Sequence, residues 1–142
     1  MKFWEIHVII LIVKRKSKGE ISVNEYMKIA KECAEHGVSH NEGGPFGAVI
    51  TDKEGNIIAK GNNMVLANND PTAHAEVTVI RKACEKLGTY DLSGYILYTS
   101  CEPCPMCLSA IIWANIKEVY YACTKDDAGK IGFRDDIIYE YL

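Results

Sequence analysis

Pro71-Thr72-Ala73-His74-Ala75-Glu76 and Cys101-Glu102-Pro103-Cys104-Pro105-Met106-Cys107 are the two halves of one stretch, Pro71 to Ala110, around which the chain is organised. A catalytic zinc ion takes three protein ligands and leaves its fourth position to water. His74, Cys104 and Cys107 offer such a set, one imidazole and two thiols, and Glu76 remains to move protons. Cys104 and Cys107 are three apart, so at the start of a helix they share a face and can grip one ion. Thiolates placed there also gain from the positive end of the helix dipole. His74 and Glu76 would splay apart inside a helix, but in its first turn both can reach a cavity beyond its end. Two other readings stand beside this one. Cys101 extends the run to C-x-x-C-x-x-C, which could close a four-ligand structural zinc site or open an iron–sulfur cluster motif. The cluster motif continues with a cysteine at 111 followed by proline, where this chain has Ile111 and Ile112.

Outward from this stretch, strands and helices alternate. His74 to Leu87 reads as a helix with Val77, Ile80, Ala83, Cys84 and Leu87 as its buried stripe and Gly88 as its stop. Tyr95 to Ser100 reads as a buried strand, Cys104 to Ala114 as the next helix, and Glu118 to Cys123 as another apolar strand. Strands whose ends feed ligand-bearing loops imply parallel pairing in this part of a sheet. Upstream, Ser22-Val23-Asn24-Glu25 has the form of a capping box. Apolar positions then recur at helical spacing, and Gly37 is placed to end the helix. Gly43-Gly44-Pro45-Phe46-Gly47 is a glycine-rich loop without the phosphate-binding pattern, suited to close approach of the backbone to something bound. Asp52 to Asn56 reads as a hairpin turn. Gly61 to Asp70 reads as a polar loop in which Asn62 or Asn63 can offer the donor and acceptor pair that a purine or pyrimidine edge requires.

Length and composition bound the rest. One domain of 142 residues with 48% hydrophobic content can bury a real core. A net charge of -3 and a pI near 5.8 lack the basic footprint of a nucleic-acid-binding domain. Cys33, Cys84, Cys101 and Cys123 are scattered through the predicted elements, which favours free thiols and a cytoplasmic setting over a disulfide framework. Residues 1–20 carry an apolar run, Ile6 to Val13, followed by Lys14-Arg15-Lys16. The run is too short to cross a membrane and lacks a signal-peptide cleavage site. It reads either as an extra strand or, the favoured reading, as an extension the fold does not use.

Read together, these residues resemble the cytidine deaminase-like superfamily of zinc deaminases, and within it the bacterial guanine deaminases, from about Glu25 to Tyr139. The H-x-E and P-C-x-x-C halves are shared across the zinc nucleobase deaminases and bear on the chemistry. Asn69 to Thr78, Leu97 to Cys107, Gly43 to Val49 and Gly132-Phe133 with a following aspartate bear on the substrate. The resemblance implies a three-layer α/β/α sandwich with a mixed central sheet, formed by a domain over residues 21–142. It implies one Zn2+ per chain held by His74, Cys104 and Cys107, with Glu76 as proton carrier. The implied reaction is hydrolysis of guanine at C2 to xanthine and ammonia. Asn63 and the backbone at Ala75 would hold the ring, Asp135 would accept N–H hydrogen bonds from the purine edge, and Phe46 would touch the substrate. The implied partner is a free purine base, with no nucleic acid and no membrane, and the implied assembly is a homodimer with exchanged C-terminal segments. Guanine deaminases of this type continue beyond the Ile138-Tyr139-Glu140 segment, whereas this chain stops at Leu142, so a more open pocket is expected. The alternatives are a deaminase of the same fold acting on transfer-RNA adenosine or on cytosine, and a zinc-stabilised purine-binding protein without turnover.

Overall fold

The computed structural model describes residues 12–15 and 21–142. The elements, in chain order, are β1 (Ile12–Arg15), α1 (Ile21–Ser39), β2 (Gly47–Thr51), β3 (Ile57–Asn62), α2 (Val65–Asn68), α3 (Ala75–Leu87), β4 (Ile96–Cys101), α4 (Pro105–Trp113), β5 (Glu118–Cys123), α5 (Lys125–Lys130) and α6 (Asp136–Tyr139). The strands form one sheet in the order β1-β5-β4-β2-β3. β5 pairs in parallel with both β4 and β1. β2 runs antiparallel to both β3 and β4. The sheet is mixed, as expected; the loop carrying Cys104 and Cys107 follows β4 in its parallel part, whereas the loop carrying His74 follows β3, which pairs antiparallel with β2.

Strand periodicity sorts the core into two faces. Ala48 and Ile50 of β2, Leu97 of β4 and Val119 of β5 pack with Val79 of α3 and Ile111 of α4. The alternate residues Val49, Tyr98 and Tyr120 pack with Val23, Met27 and Ala30 of α1. A side-chain period of two sends successive residues to opposite faces, so α1 covers one face and α3 with α4 cover the other. This is the three-layer α/β/α sandwich. Tyr98 and Tyr120 stack across the β4–β5 pair at 5.2 Å between centroids.

Three local expectations change. α1 begins at Ile21 rather than behind Ser22, and it runs through Gly37 to Ser39. Its end is made instead at Asn41, in the left-handed region at φ 54°, with the Glu42 N–H bonded to the Gly37 carbonyl at 2.9 Å. Gly37 is required for proximity, because a Cβ there would collide with the side chain of Asn62. The Gly61–Asn62 pair belongs to β3 rather than to a loop, and the loop beyond it holds the short helix α2. Finally, Ile12–Arg15 pair with Glu118 to Tyr121 as an edge strand. For these four residues the extra strand forms, not the unused extension. A parallel edge offers the unpaired N–H and C=O groups that a β-branched segment can satisfy. Residues 1–11 and 16–20 lie outside the described residues.

The turn expected at Asp52 to Asn56 is present. Asp52 Oδ1 accepts the Asn56 backbone N–H at 2.8 Å, and the main chain closes with Asp52 N–H to the Asn56 carbonyl at 3.0 Å. No helix among the described residues is long and apolar enough to cross a membrane.

Candidate active site

Two helix N-termini converge at the C-terminal end of β4. His74 is the N-cap of α3 and Cys104 the N-cap of α4, both with extended backbone at ψ 160° and 167°. His74 and Cys104 therefore sit one position outside the helices that the sequence assigned them to. Pro105 at the first helical position sets the turn, since its missing N–H is one the helix start leaves unused anyway. Cys107 lies in the same first turn, and its backbone N–H reaches the Cys104 sulfur at 3.5 Å.

The His74 Nδ1 atom stands 3.6 Å from Cys104 Sγ and 3.5 Å from Cys107 Sγ. All three donor atoms lie within 4.8 Å of one another. Nitrogen and sulfur ligands at zinc bond lengths, arranged tetrahedrally, stand about 3.6 Å apart. The donor set and its spacing thus fit a zinc ion with one position open. Cys101 is not part of this cluster. Burial, with Cys123 beside it, pushes its thiol up to about 12, so it stays a neutral thiol. The closed four-ligand and iron–sulfur readings lack their extra ligand, because Cys101 stands outside the three-donor group.

The electrostatics ask for a cation. The neighbouring Cys107 sulfur, aided by the His74 ring and the Cys107 N–H, holds the Cys104 thiol down to about 4. Cys107 is pushed up by that same sulfur–sulfur contact, by burial and by the nearby Glu76. His74 is raised, chiefly through its hydrogen bond to Cys104. Glu76 is only 6% exposed, and burial lifts its carboxyl above the usual range. Three acidic groups thus crowd one buried point, and a divalent ion satisfies them together.

His74, Glu76 and Cys104 open into a cavity of about 470 Å³ whose other walls include Asn63, Phe46 and Asp135. Cys107 lies behind it, fully buried. The structure thus brings His74, Glu76, Cys104, Asn63, Phe46 and Asp135 to the walls of one cavity, with Cys107 in contact with His74 behind them. Ala75 is wholly buried in the main core between His74 and Glu76, so that only its backbone is available. Asn62 and Asn63 differ in their partners and in their access to the cavity. Asn62 spends its amide on Glu42 Oε2 at 2.8 Å and on the Asn63 carbonyl. Asn63 accepts the Val65 N–H on Oδ1 at 3.0 Å and lines the cavity. Gly43 makes that placement possible, because a Cβ there would collide with the Asn63 amide and carbonyl oxygens.

One residue escaped the sequence reading, Thr99, and another, Phe133, entered it only as part of the Gly132-Phe133 run. Phe133 also lines the cavity and meets Phe46 edge to face at 4.8 Å between centroids, a favoured aromatic geometry. Thr99, buried in β4, donates its hydroxyl to Glu76 Oε1 at 3.0 Å. The signal for Thr99 was a hydroxyl inside the apolar run Ile96-Leu97-Tyr98, and for Phe133 its adjacency to Gly132 near Asp135.

The geometry can be set beside known proteins. The family model for the cytidine and deoxycytidylate deaminase zinc-binding region matches residues 21–123. The chain belongs to this family. It is 59% identical over 117 residues to a guanine deaminase of Bacillus subtilis, covering 82% of this chain and 74% of that one. An X-ray structure of guanine deaminase from Bacillus subtilis superposes with a TM-score of 0.80 at 57% identity, over 82% of this chain and 74% of that one. A guanine deaminase structure from Nitrosomonas europaea gives a TM-score of 0.74 at 34% identity, over 78% and 63%. Similarity extends to a tRNA-specific adenosine deaminase of Agrobacterium fabrum, 45% identical over 61% of this chain and 57% of that one. The fold is that of the zinc deaminases, and membership makes zinc the metal the donor set fits.

Proposed function

We propose that this protein is a zinc-dependent aminohydrolase that converts guanine and water to xanthine and ammonia. The observation that carries the reading is the placement of Glu76: a buried carboxylate two residues from His74, opening into the same cavity as the His74–Cys104–Cys107 cluster. The likeness to guanine deaminases over 82% of the chain supports the choice of base.

In this reading His74, Cys104 and Cys107 hold the ion, and zinc bound there supplies the Lewis acidity that lets water ionise near neutral pH. Glu76 takes the proton lost by the attacking water while the oxygen bonds to C2 of the purine. It then delivers that proton to a ring nitrogen. As the tetrahedral carbon collapses, Glu76 carries the hydroxyl proton to the amino nitrogen, the C2–N bond breaks, and ammonia leaves. A carboxyl raised by burial suits a group that must both take and give a proton near neutral pH. The Asn63 NH2 group donates to a purine acceptor, and the peptide at Ala75 lies beside the ring. Asp135 accepts the ring N–H bonds that guanine presents and that adenine and cytosine present differently. Phe46, backed by Phe133, gives the ring an aromatic wall.

The domain that does this is assigned to residues 21–142. Six free cysteines among the described residues support a cytoplasmic enzyme. The working assembly is a homodimer with exchange of C-terminal segments, supported by apolar side chains left open to solvent, Trp113 at 82% and Leu142 at 89% exposed. Sedimentation that finds only monomer at micromolar concentration would remove that part of the proposal.

The test of the reaction is ammonia release by the zinc-loaded protein from guanine, run beside adenine, cytosine, their nucleosides and transfer RNA. Guanine alone is expected to turn over. Turnover of transfer RNA or of another base in its place overturns the substrate, and zinc-loaded protein inert toward all of them leaves a purine-binding protein.

A further inference from the structure

Thr99 sits in the centre of the sheet, on β4 between Ala48 of β2 and Tyr121 of β5. It is 1% exposed. It shares a strand face with Leu97, the face covered by α3, and so meets the first turn of that helix. A hydroxyl at such a position costs stability unless it is hydrogen-bonded, and valine has the same shape and suits a strand as well. Among the described residues this hydroxyl makes one hydrogen bond, to Glu76 Oε1 at 3.0 Å.

We propose that Thr99 is a positioning residue for Glu76, its hydroxyl fixing the plane of the carboxylate so that Oε2 points at the proton it must carry. The inference rests on the reading of Glu76 as the proton carrier. A glutamate's terminal torsion is broad and nearly two-fold, so a helix start alone leaves that plane undetermined. The β-branched side chain of Thr99 is stiff at χ1, and its strand is hydrogen-bonded on both edges. The Glu76 backbone N–H and the Cys107 thiol also meet this carboxyl, and the Thr99 hydroxyl is the donor that ties it to the rigid strand at the middle of the sheet. Thr51 supplies the contrast within the same sheet: it is equally buried, and its hydroxyl has no hydrogen-bond partner among the described residues.

The test is the series Thr99→Val, Thr99→Ser and Thr51→Val, measured on zinc-loaded protein. Thr99→Val is expected to lower kcat about tenfold to a hundredfold, in line with the cost of a misaimed catalytic group. KM should stay within about threefold, the pattern of an interaction used in the transition state. Zinc content should stay at one per chain. Thr99→Ser is expected to restore kcat to within about threefold of the parent, and Thr51→Val to leave it unchanged. Thr99→Val with kcat within about twofold of the parent, or Thr99→Ser as impaired as Thr99→Val, overturns the proposal. A crystal structure of zinc-loaded Thr99→Val gives a readout independent of turnover. A Glu76 carboxylate turned or split between orientations supports the role, and a single unchanged orientation overturns it. If the parent protein deaminates nothing, the proposed function falls, and the orientation of Glu76 still decides for or against Thr99.

Discussion

The two sides of the cavity differ in what holds them. On one side His74, Glu76, Cys104 and Cys107 stand at the first turns of α3 and α4, against β4 in the middle of the sheet. Each is fixed by a helix cap, by burial or by a hydrogen bond from the sheet, as Glu76 is from Thr99. On the other side Asn63, Phe46 and Phe133 come from loops, and Asp135 precedes the four-residue helix α6. Phe133 is 37% exposed. The side proposed to break the bond is built on the sheet and its helix caps, and the side proposed to meet the base is drawn from loops, with Asn63 buried and Phe133 partly open to solvent. The first can be shared by every deaminase of the family, while the second can change with the substrate without disturbing the first.

The strongest way to break this division is to attack the core side at its metal. Cys104→Ser removes the thiol that caps α4 and faces His74 at 3.6 Å. It is expected to reduce zinc content to a small fraction of one per chain and turnover below detection. The melting temperature should also fall, because metal binding is coupled to the folded state. Metal analysis with a thermal scan checks both, and full zinc occupancy would discredit the ligand set. Glu76→Gln comes next. It keeps size and burial but cannot accept a proton, so kcat is expected to fall about 10²- to 10⁴-fold with zinc content unchanged. Parallel kinetics and metal analysis separate the two variants. Retained turnover in Glu76→Gln would remove the proton role from this residue.

The same division explains how much was legible in the sequence. The core side was legible because it obeys short-range rules. Pro105 fixes a helix start, Gly88 a helix end, and strand alternation the two faces of the sheet. The rim was legible only as alternatives, because its placement depends on contacts between distant segments. Nothing in the sequence says that Asn62 is taken by Glu42 while Asn63 turns to the cavity. Gly37 looked like a helix stop until the fold brought Asn62 against it. The edge strand β1 pairs with residues more than a hundred positions away, a pairing that no local pattern encodes.

Asp135→Asn moves the attack to the rim. The change keeps the shape and removes a charged acceptor, whose hydrogen bonds are worth about 1.5–3 kcal/mol each. A fall of about ten- to a hundredfold in kcat/KM for guanine is expected at full zinc content. Guanine kinetics equal to those of the parent would end the argument that this carboxylate reads the purine edge.

The smallest expected effect is also the sharpest comparison, because Gly43→Ala touches neither the metal nor the proton carrier. A methyl group at residue 43 would occupy the space of the Asn63 amide and carbonyl oxygens. Asn63 is tied on both sides, by its N–H to the Phe46 carbonyl at 3.0 Å and by Oδ1 to the Val65 N–H at 3.0 Å. Relief therefore has to come from rotating the asparagine or shifting the glycine-rich loop. Either movement displaces the NH2 group proposed to meet the base. The loss of about one neutral hydrogen bond, 0.5–1.5 kcal/mol, corresponds to a rise in KM of about two- to tenfold. Zinc content should not change, and kcat should fall less than KM rises, since the three atoms nearest this methyl all belong to Asn63. Steady-state kinetics on guanine decide the matter. An equal fall in kcat without a change in KM would mean that the rim reaches into the proton-transfer geometry, and that the two sides of the cavity are mechanically one.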